Sequence, residues 1–82
     1  MDRKMLLIYI SAVLSTLNEV KDGMMIASTL YLAMKMDYQN YAIIAEKLQT
    51  SGLCKVTSTT ITITEKGRIL AKELDELAKK KG

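Results

Sequence analysis

The chain has 82 residues, a formal net charge of +3 at pH 7 and no Phe or Trp, yet 49% of its residues are hydrophobic. A chain of this length forms one domain, which buries only about 60–65% of the surface that its unfolded form exposes. We therefore predict a single domain over residues 1–82, and a homodimer as the simplest way to cover the apolar excess.

The residue types that serve nucleophilic and metal chemistry are scarce. The chain has no His and one Cys, Cys54, so it offers neither a Ser/His nor a Cys/His pair. Its acidic residues are scattered. We predict no enzymatic activity, no metal site and no cofactor, and no small-molecule ligand is evident. A lone Cys packs as a small hydrophobe and suits a reducing compartment, so we expect Cys54 to be buried and the protein to be cytoplasmic.

The N-terminal segment, MDRKMLLIYISAVLSTL, begins basic and continues apolar, as a signal peptide does. Polar residues interrupt it, however, and it is too short to span a bilayer. Apolar residues recur at steps of four and three, which is typical of one face of a helix: Leu6, Ile10, Val13, Leu17 and Val20. We predict a helix over residues 2–20, in which Leu7 and Leu14 lie off this face and contact a second copy.

The segment after Lys21-Asp22-Gly23 predicts three short elements. Met24 to Ile26 is a candidate strand. Ser28 is a candidate N-cap for a second helix that runs to Met36, and Asp37 for a third helix from Tyr38 to Thr50. The predicted core positions of the third helix are Tyr41, Ile44, Ala45 and Leu48. Its predicted outer positions include Gln39, Asn40, Ala42, Ile43 and Lys47.

The stretch TITITEKGRILAKEL, from Thr60 to Leu74, changes from period two to a helical period without a linker. The first half predicts a strand with Ile61 and Ile63 on its buried face. It pairs in a hairpin with LCKVT, which follows Gly52, the predicted C′ residue of the third helix. Thr64 is a candidate N-cap for a last helix over residues 65–80. Leu70, Leu74 and Leu77 follow the four-three spacing of a helix–helix seam on it.

The stretch KLQTSGLCKV and the later ITITEKGRILAKEL resemble the recognition-helix end, wing and final helix of winged-helix transcription regulators. The stretch STLYLAMKMDYQNYAIIAEKLQTSGL is similar to the middle of small archaeal dimeric winged-helix proteins that bind DNA. The resemblance covers Ser28 to Leu74. It implies an α+β, mostly helical fold, a winged helix-turn-helix in the order helix, helix, helix, β-hairpin wing, helix. It also implies base recognition by the third helix, phosphate contacts by the wing, and dimerisation through the terminal helices.

The expected double-stranded DNA contacts follow from side-chain chemistry. Gln39 and Asn40 carry amides that can bond adenine in the major groove, and Ala42 and Ile43 can contact a thymine methyl. Cations and hydroxyls for the phosphates are expected from Lys35, Lys47, Lys55, Arg68, Ser58 and Thr59. The expected dimer contacts are Leu7, Leu14, Leu70, Leu74 and Leu77.

Two other functions remain open at this stage. A winged-helix module that binds another protein rather than DNA fits the apolar Ala42 and Ile43, and the lack of Arg in the third helix and in the hairpin. A membrane-surface protein that uses its first helix is the other alternative, and it predicts liposome binding by a monomer. The favoured hypothesis is a homodimeric, sequence-specific transcription regulator that does not enter a membrane.

Overall fold

A computed structural model describes residues 2–81, with side chains through Lys79; Met1 and Gly82 of the predicted 1–82 domain lie outside the described residues. The elements, in chain order, are α1 (Arg3–Glu19), β1 (Met24–Ile26), α2 (Ala27–Ala33), α3 (Tyr38–Thr50), β2 (Cys54–Val56), β3 (Thr60–Ile63) and α4 (Glu65–Lys81). Over the described residues the fold is therefore mostly helical with a small antiparallel sheet. The predicted α+β class is confirmed.

The sheet has the order β1-β3-β2, and both pairings are antiparallel. Ile61 of β3 lies between Met25 and Val56, and its side chain is fully buried. Ile63 is also buried. The predicted alternation of β3, the hairpin and the short strand at Met24–Ile26 are confirmed. The pairing of β1 with β3 was not expected from the sequence.

The second helix differs from its prediction at both ends. Its N-cap position is Ile26, and no side chain caps it, so the prediction for Ser28 is wrong. The N–H of Ala27 instead donates to the carbonyl of Thr59 at 2.8 Å, which ties the start of α2 to the hairpin. The helix ends at Ala33 rather than Met36 because Lys35 adopts a left-handed conformation (φ 54°).

The third helix has the predicted ends. The Asp37 carboxylate accepts a hydrogen bond from the N–H of Asn40 at 2.8 Å, as an N-cap does. At the other end Gly52 has a φ of 78°, and the N–H of Leu53 donates to the carbonyl of Leu48 at 2.9 Å. This is the Schellman ending of a helix, with Gly52 at C′. Both predictions are confirmed.

The last helix starts against the turn that ends α3. The hydroxyl oxygen of Thr64 accepts from the N–H of Gly67 at 3.1 Å, so its N-cap role is confirmed. The same hydroxyl lies 2.6 Å from the carbonyl oxygen of Gly52. Gly67 is buried, and a Cβ there would overlap the carbonyl oxygen of Leu53. A glycine at this position is what lets the start of α4 lie so close to the turn between α3 and β2.

The core lies between α1, α3, α4 and the sheet, and its predicted positions on α3 are all buried. On α1 the buried residues are Val13, Leu14 and Leu17, whereas Leu6 and Ile10 are only half-buried. Leu14 has no exposed surface, so the prediction that it contacts a second copy is wrong. Its side chain belongs to the core of its own chain because α1 packs against both α3 and α4. No helix among the described residues is long and apolar enough to cross a membrane.

Candidate nucleic-acid interface

The outer side of α3 carries a ridge of exposed side chains. Gln39, Ile43 and Lys47 are spaced by four residues, so they lie on one side of the helix, away from its buried face. Asn40 is half-buried and lies seven residues before Lys47, on the flank of this ridge. Within the described chain, no hydrogen bond or ion pair occupies the side-chain ends of Gln39, Asn40 or Lys47. These ends are available to a ligand.

The opposite flank of α3 lines a groove. The groove has a volume of about 690 Å³ and runs between α3, the start of α2 and the hairpin loop Thr57–Thr59. Of the predicted DNA-contacting residues, Ala42, Ser58 and Thr59 line it. Gln39, Asn40, Ile43 and Lys47 do not. The structure therefore places the predicted base-reading residues on two different sides of α3.

The hairpin loop is ordered by its own threonines. The hydroxyl oxygens of Thr57 and Thr60 lie 2.7 Å apart, and the N–H of Thr60 donates to the Thr57 hydroxyl at 2.9 Å. The N–H of Thr57 donates to the carbonyl of Thr60 at 2.9 Å. Ser58 and Thr59 remain exposed at the tip. The hydroxyls of Ser58 and Thr59, which are predicted to contact phosphates, therefore lie on a turn that is closed by hydrogen bonds between Thr57 and Thr60.

The predicted lysines lie in three separate places. Lys47 is on the α3 ridge, and Lys35 is exposed in the turn before α3. Lys55 is exposed on β2, opposite Thr62. Because side chains alternate along a strand, Lys55 points to the sheet face opposite Val56, which lines the groove. Lys55 therefore does not face the groove, and the three lysines are spread over the α2–α3 turn, α3 and β2.

Arg68 is engaged within its own chain through one guanidinium nitrogen, and its role as a phosphate ligand stays a prediction. Its Nη1 donates to the side-chain oxygen of Asn18 at 3.0 Å and to the Asn18 carbonyl at 3.3 Å. The guanidinium is half-buried between α4 and the end of α1, beside Gly23, where an added Cβ would lie 2.6 Å from Nη2. Lys66 is occupied in a similar way, since its Nζ donates to the carbonyl of Ser51 at 2.8 Å.

The groove also contains aromatic residues that were not predicted from the sequence to form a site. Tyr31, Tyr38 and Tyr41 line it, and the centroids of the three rings lie 5.2–6.3 Å apart. Tyr38 is 65% exposed, whereas Tyr41 is only 4% exposed. Among the described residues, Glu46 contributes the one carboxylate of the lining. We name this feature the tyrosine groove. Its sequence signal was the presence of three of the four tyrosines between residues 31 and 41.

The floor of the tyrosine groove holds a polar atom without a partner. The hydroxyl oxygen of Tyr41 is buried and makes no hydrogen bond within the described chain. Burial, with smaller contributions from Cys54, Tyr38 and Tyr31, raises the pKa of the Tyr41 hydroxyl. An unpartnered buried hydroxyl is unusual in a folded protein, since it loses its hydrogen bonds to water without replacement.

Two further observations bear on the site. Among residues 2–79, whose side chains are described, no group of three or more Cys, Asp or Glu side chains could hold a metal ion. Cys54 is buried, as expected, and burial raises the pKa of its thiol to about 11. Comparison of the chain with protein-family models, with curated proteins and with solved structures found no match.

Proposed function

We propose that this chain is a winged-helix protein that binds double-stranded DNA sequence-specifically and regulates transcription as a cytoplasmic homodimer. In this proposal α3 lies in the major groove and the β2–β3 hairpin is the wing on the phosphate backbone. The observation that carries the proposal is the exposed ridge of α3, whose polar ends have no partner within the described chain. The ordered hairpin tip on the other flank of α3 supports it.

The chemistry of the ridge suits base recognition at the start of α3. Recognition helices contact base edges mainly through their N-terminal residues. Gln39 and Asn40 occupy this part of α3, and an amide can form two hydrogen bonds with an adenine. Ile43 is 45% exposed one turn later and can pack on a thymine methyl. Ala42 lines the groove instead, so it is not part of the proposed base contact.

Phosphate contacts would come from both ends of this surface. Lys47 and Lys35 supply cations, and Ser58 and Thr59 supply hydroxyls from the wing tip. With Lys55 counted beside these two lysines and Arg68 left out, a dimer would neutralise about 4–6 phosphates. The logarithm of the DNA affinity should therefore fall with the logarithm of the salt concentration at a slope of roughly −4 to −5. A slope of this size is expected for a DNA-binding protein that makes few contacts with phosphates.

The dimer in this proposal uses the terminal helices. Helices α1 and α4 pack against each other, and both keep large apolar side chains exposed. These are Met5, Leu7 and Ile8 on α1, and Ile69 and Leu77 on α4. Leu70 and Leu74 are half-buried and pack at the edge of the core, so they would give a partner only part of their surface.

The test is selection of a binding site from random duplexes, followed by two variants. Asn40→Ala should weaken binding to the selected site by roughly 1–3 kcal/mol and leave random duplexes nearly unaffected, because an amide–adenine contact reads sequence. Lys47→Ala should weaken binding to all duplexes and make the salt slope shallower, because an ammonium on a phosphate carries no base information.

The matched control is Lys72→Ala, which removes an exposed charge from α4, far along the chain from the proposed interface. It should leave the binding of both duplexes unchanged. The proposal fails if the parent protein shows no salt-dependent duplex binding at about 50 mM salt, where phosphate contacts are strong.

A second candidate function is a protein-interaction module with the same shape. The tyrosine groove favours it, because among the described residues its lining contains one carboxylate and no Lys or Arg. Retention on heparin separates the two candidates. A DNA-binding protein should stay on the column until the salt concentration is raised. An interaction module should show only the weak retention that its small net charge produces.

A further inference from the structure

The three rings of the tyrosine groove form one continuous aromatic surface. Tyr41 lies at the floor, the half-buried Tyr31 beside it, and the exposed Tyr38 at the rim. Tyr31 and Tyr38 meet edge to face at 70°, and Tyr41 is tilted by 40° to each of them. This arrangement places three neighbouring aromatic rings in the lining of the groove, and the faces of such rings carry partial negative charge.

The charge of the groove has the same sign as the ring faces. Glu46 is exposed, lies on α3 and is the only charged residue that lines the groove in the part of the chain that the structure describes. No Lys or Arg side chain from α2, α3 or the hairpin lines the groove. A positive ligand would therefore be attracted by both the rings and the carboxylate, whereas an anion would be repelled by both.

The size of the groove suits a small molecule. Pockets for small ligands enclose roughly 300–1,000 Å³ and combine apolar walls with a few polar groups, and this one encloses about 690 Å³. Its apolar walls include Ala42, Ala45 and Val56.

We propose that the tyrosine groove binds an organic cation with an alkylated ammonium head, held by the faces of Tyr31 and Tyr38 and by the carboxylate of Glu46. Alkylated ammonium groups are weakly hydrated and bind aromatic faces well, unlike simple metal cations. This binding site is separate from the α3 ridge that carries the DNA proposal. It stands on its own geometry whether or not the chain binds DNA.

The experiment is a titration of the whole chain with choline, compared with 3,3-dimethylbutan-1-ol, which has the same shape but carbon in place of the charged nitrogen. The chain has no Phe, Trp or His, so the aromatic proton NMR spectrum contains only its four tyrosines. Three of these line the groove, and Tyr9 on α1 serves as an internal reference. We expect choline to shift the groove tyrosines and to bind about 3- to 30-fold more tightly than the neutral alcohol.

Two variants locate the site. Glu46→Gln should weaken choline binding about 3- to 10-fold and leave the alcohol unchanged, because only the cation interacts with the carboxylate. Glu73→Gln, on the exposed side of α4, is the matched charge control and should change neither. Tyr38→Leu should weaken choline binding more than alcohol binding, because an aliphatic side chain keeps the apolar contact but removes the ring face.

Both variants replace exposed side chains, so the fold should persist, and the unchanged reference signal of Tyr9 checks this. Equal affinities for choline and the alcohol would overturn the proposal. So would a Glu46→Gln variant that binds choline as the parent does, or shifts confined to Tyr9.

Discussion

The guanidinium of Arg68 on α4 donates to the side-chain oxygen of Asn18 at the end of α1, over a distance of 3.0 Å. A second hydrogen bond from the same nitrogen reaches the Asn18 carbonyl. The last carbonyls of a helix have no partner within the helix, and a cation near them is also favoured by the helix dipole. Arg68 therefore caps α1 from another element and holds the two terminal helices together.

The first prediction follows from this contact. Arg68→Ala should lower the free energy of unfolding by about 1–3 kcal/mol, since it leaves the partly buried end of α1 without its charged donor. Urea unfolding followed by circular dichroism measures the change. In the folded protein the slope of DNA affinity against salt should stay as in the parent. A shallower slope would return Arg68 to the DNA interface.

Gly67 and Gly52 provide a test of two different reasons for a glycine. Gly67→Ala should destabilise the protein by about 1–3 kcal/mol, although Ala favours helices, because its Cβ overlaps the Leu53 carbonyl. At Gly52 a Cβ meets nothing nearer than Lys66 Cδ at 3.8 Å, but φ is 78°. Gly52→Val should therefore lower the melting temperature, whereas Gly52→Asn should be nearly neutral because Asn tolerates this conformation.

The comparison of these variants by thermal melting separates packing from backbone strain. An unchanged melting temperature in Gly67→Ala would mean that α4 can move away from the Leu53 carbonyl at little cost in stability. If Gly52→Asn were as destabilising as Gly52→Val, the left-handed conformation would not be the reason for the glycine.

Most elements could be predicted from local sequence signals. Both ends of α3 and the start of α4 were predicted correctly, because Asp37, Gly52 and Thr64 act on backbone groups within a few residues of themselves. The errors arose where a distant residue decided the outcome. Ser28 does not cap α2, whose first N–H, that of Ala27, donates to the Thr59 carbonyl of the hairpin. The hydrogen bond of Arg68 to Asn18, fifty residues earlier, could not be predicted from local sequence either.

The residues of the candidate site also fall into those that local spacing predicts and those that depend on distant elements. Helical spacing correctly placed Gln39, Ile43 and Lys47 on the outer side of α3. It could not show that Ala42 belongs to a groove, because that groove needs the hairpin loop as its second wall. Leu14 was wrongly placed on the outer side of α1. The prediction assigned one narrow face of α1 to the core, but α3 and α4 both pack on this helix and together bury a wider face.

The pH dependence of stability should reflect Cys54. Burial raises the pKa of its thiol from 9.0 to about 11, so the folded state holds its proton more tightly than the unfolded state. The stabilisation that comes from the protonated thiol is fully present below about pH 9 and is lost as the pH rises to about 11. The total loss over this range is about 2–3 kcal/mol of unfolding free energy. Tyr41, whose pKa is also raised by burial, changes stability in the same direction.

Urea unfolding at a series of pH values from about 8 to 11 measures this loss. Cys54→Ala should be less stable at pH 8, because it leaves a small cavity, but its stability should fall less steeply toward pH 11. A parallel decline in both proteins would show that the thiol is not the group responsible.

The last prediction concerns assembly. Leu7 is 60% exposed on α1 and Leu77 is 58% exposed on α4, so both are free to be buried by a second copy. Leu7→Glu or Leu77→Glu should convert the proposed dimer to a monomer, because a carboxylate in an apolar interface loses several kcal/mol of hydration. Light scattering at tens of micromolar gives the mass. The matched control is Leu32→Glu on α2, where the leucine is 67% exposed and lies outside both terminal helices. It should stay dimeric. A monomeric parent would remove the dimer from the proposed function, and a dimer that survives both terminal-helix variants but not Leu32→Glu would move the interface to α2.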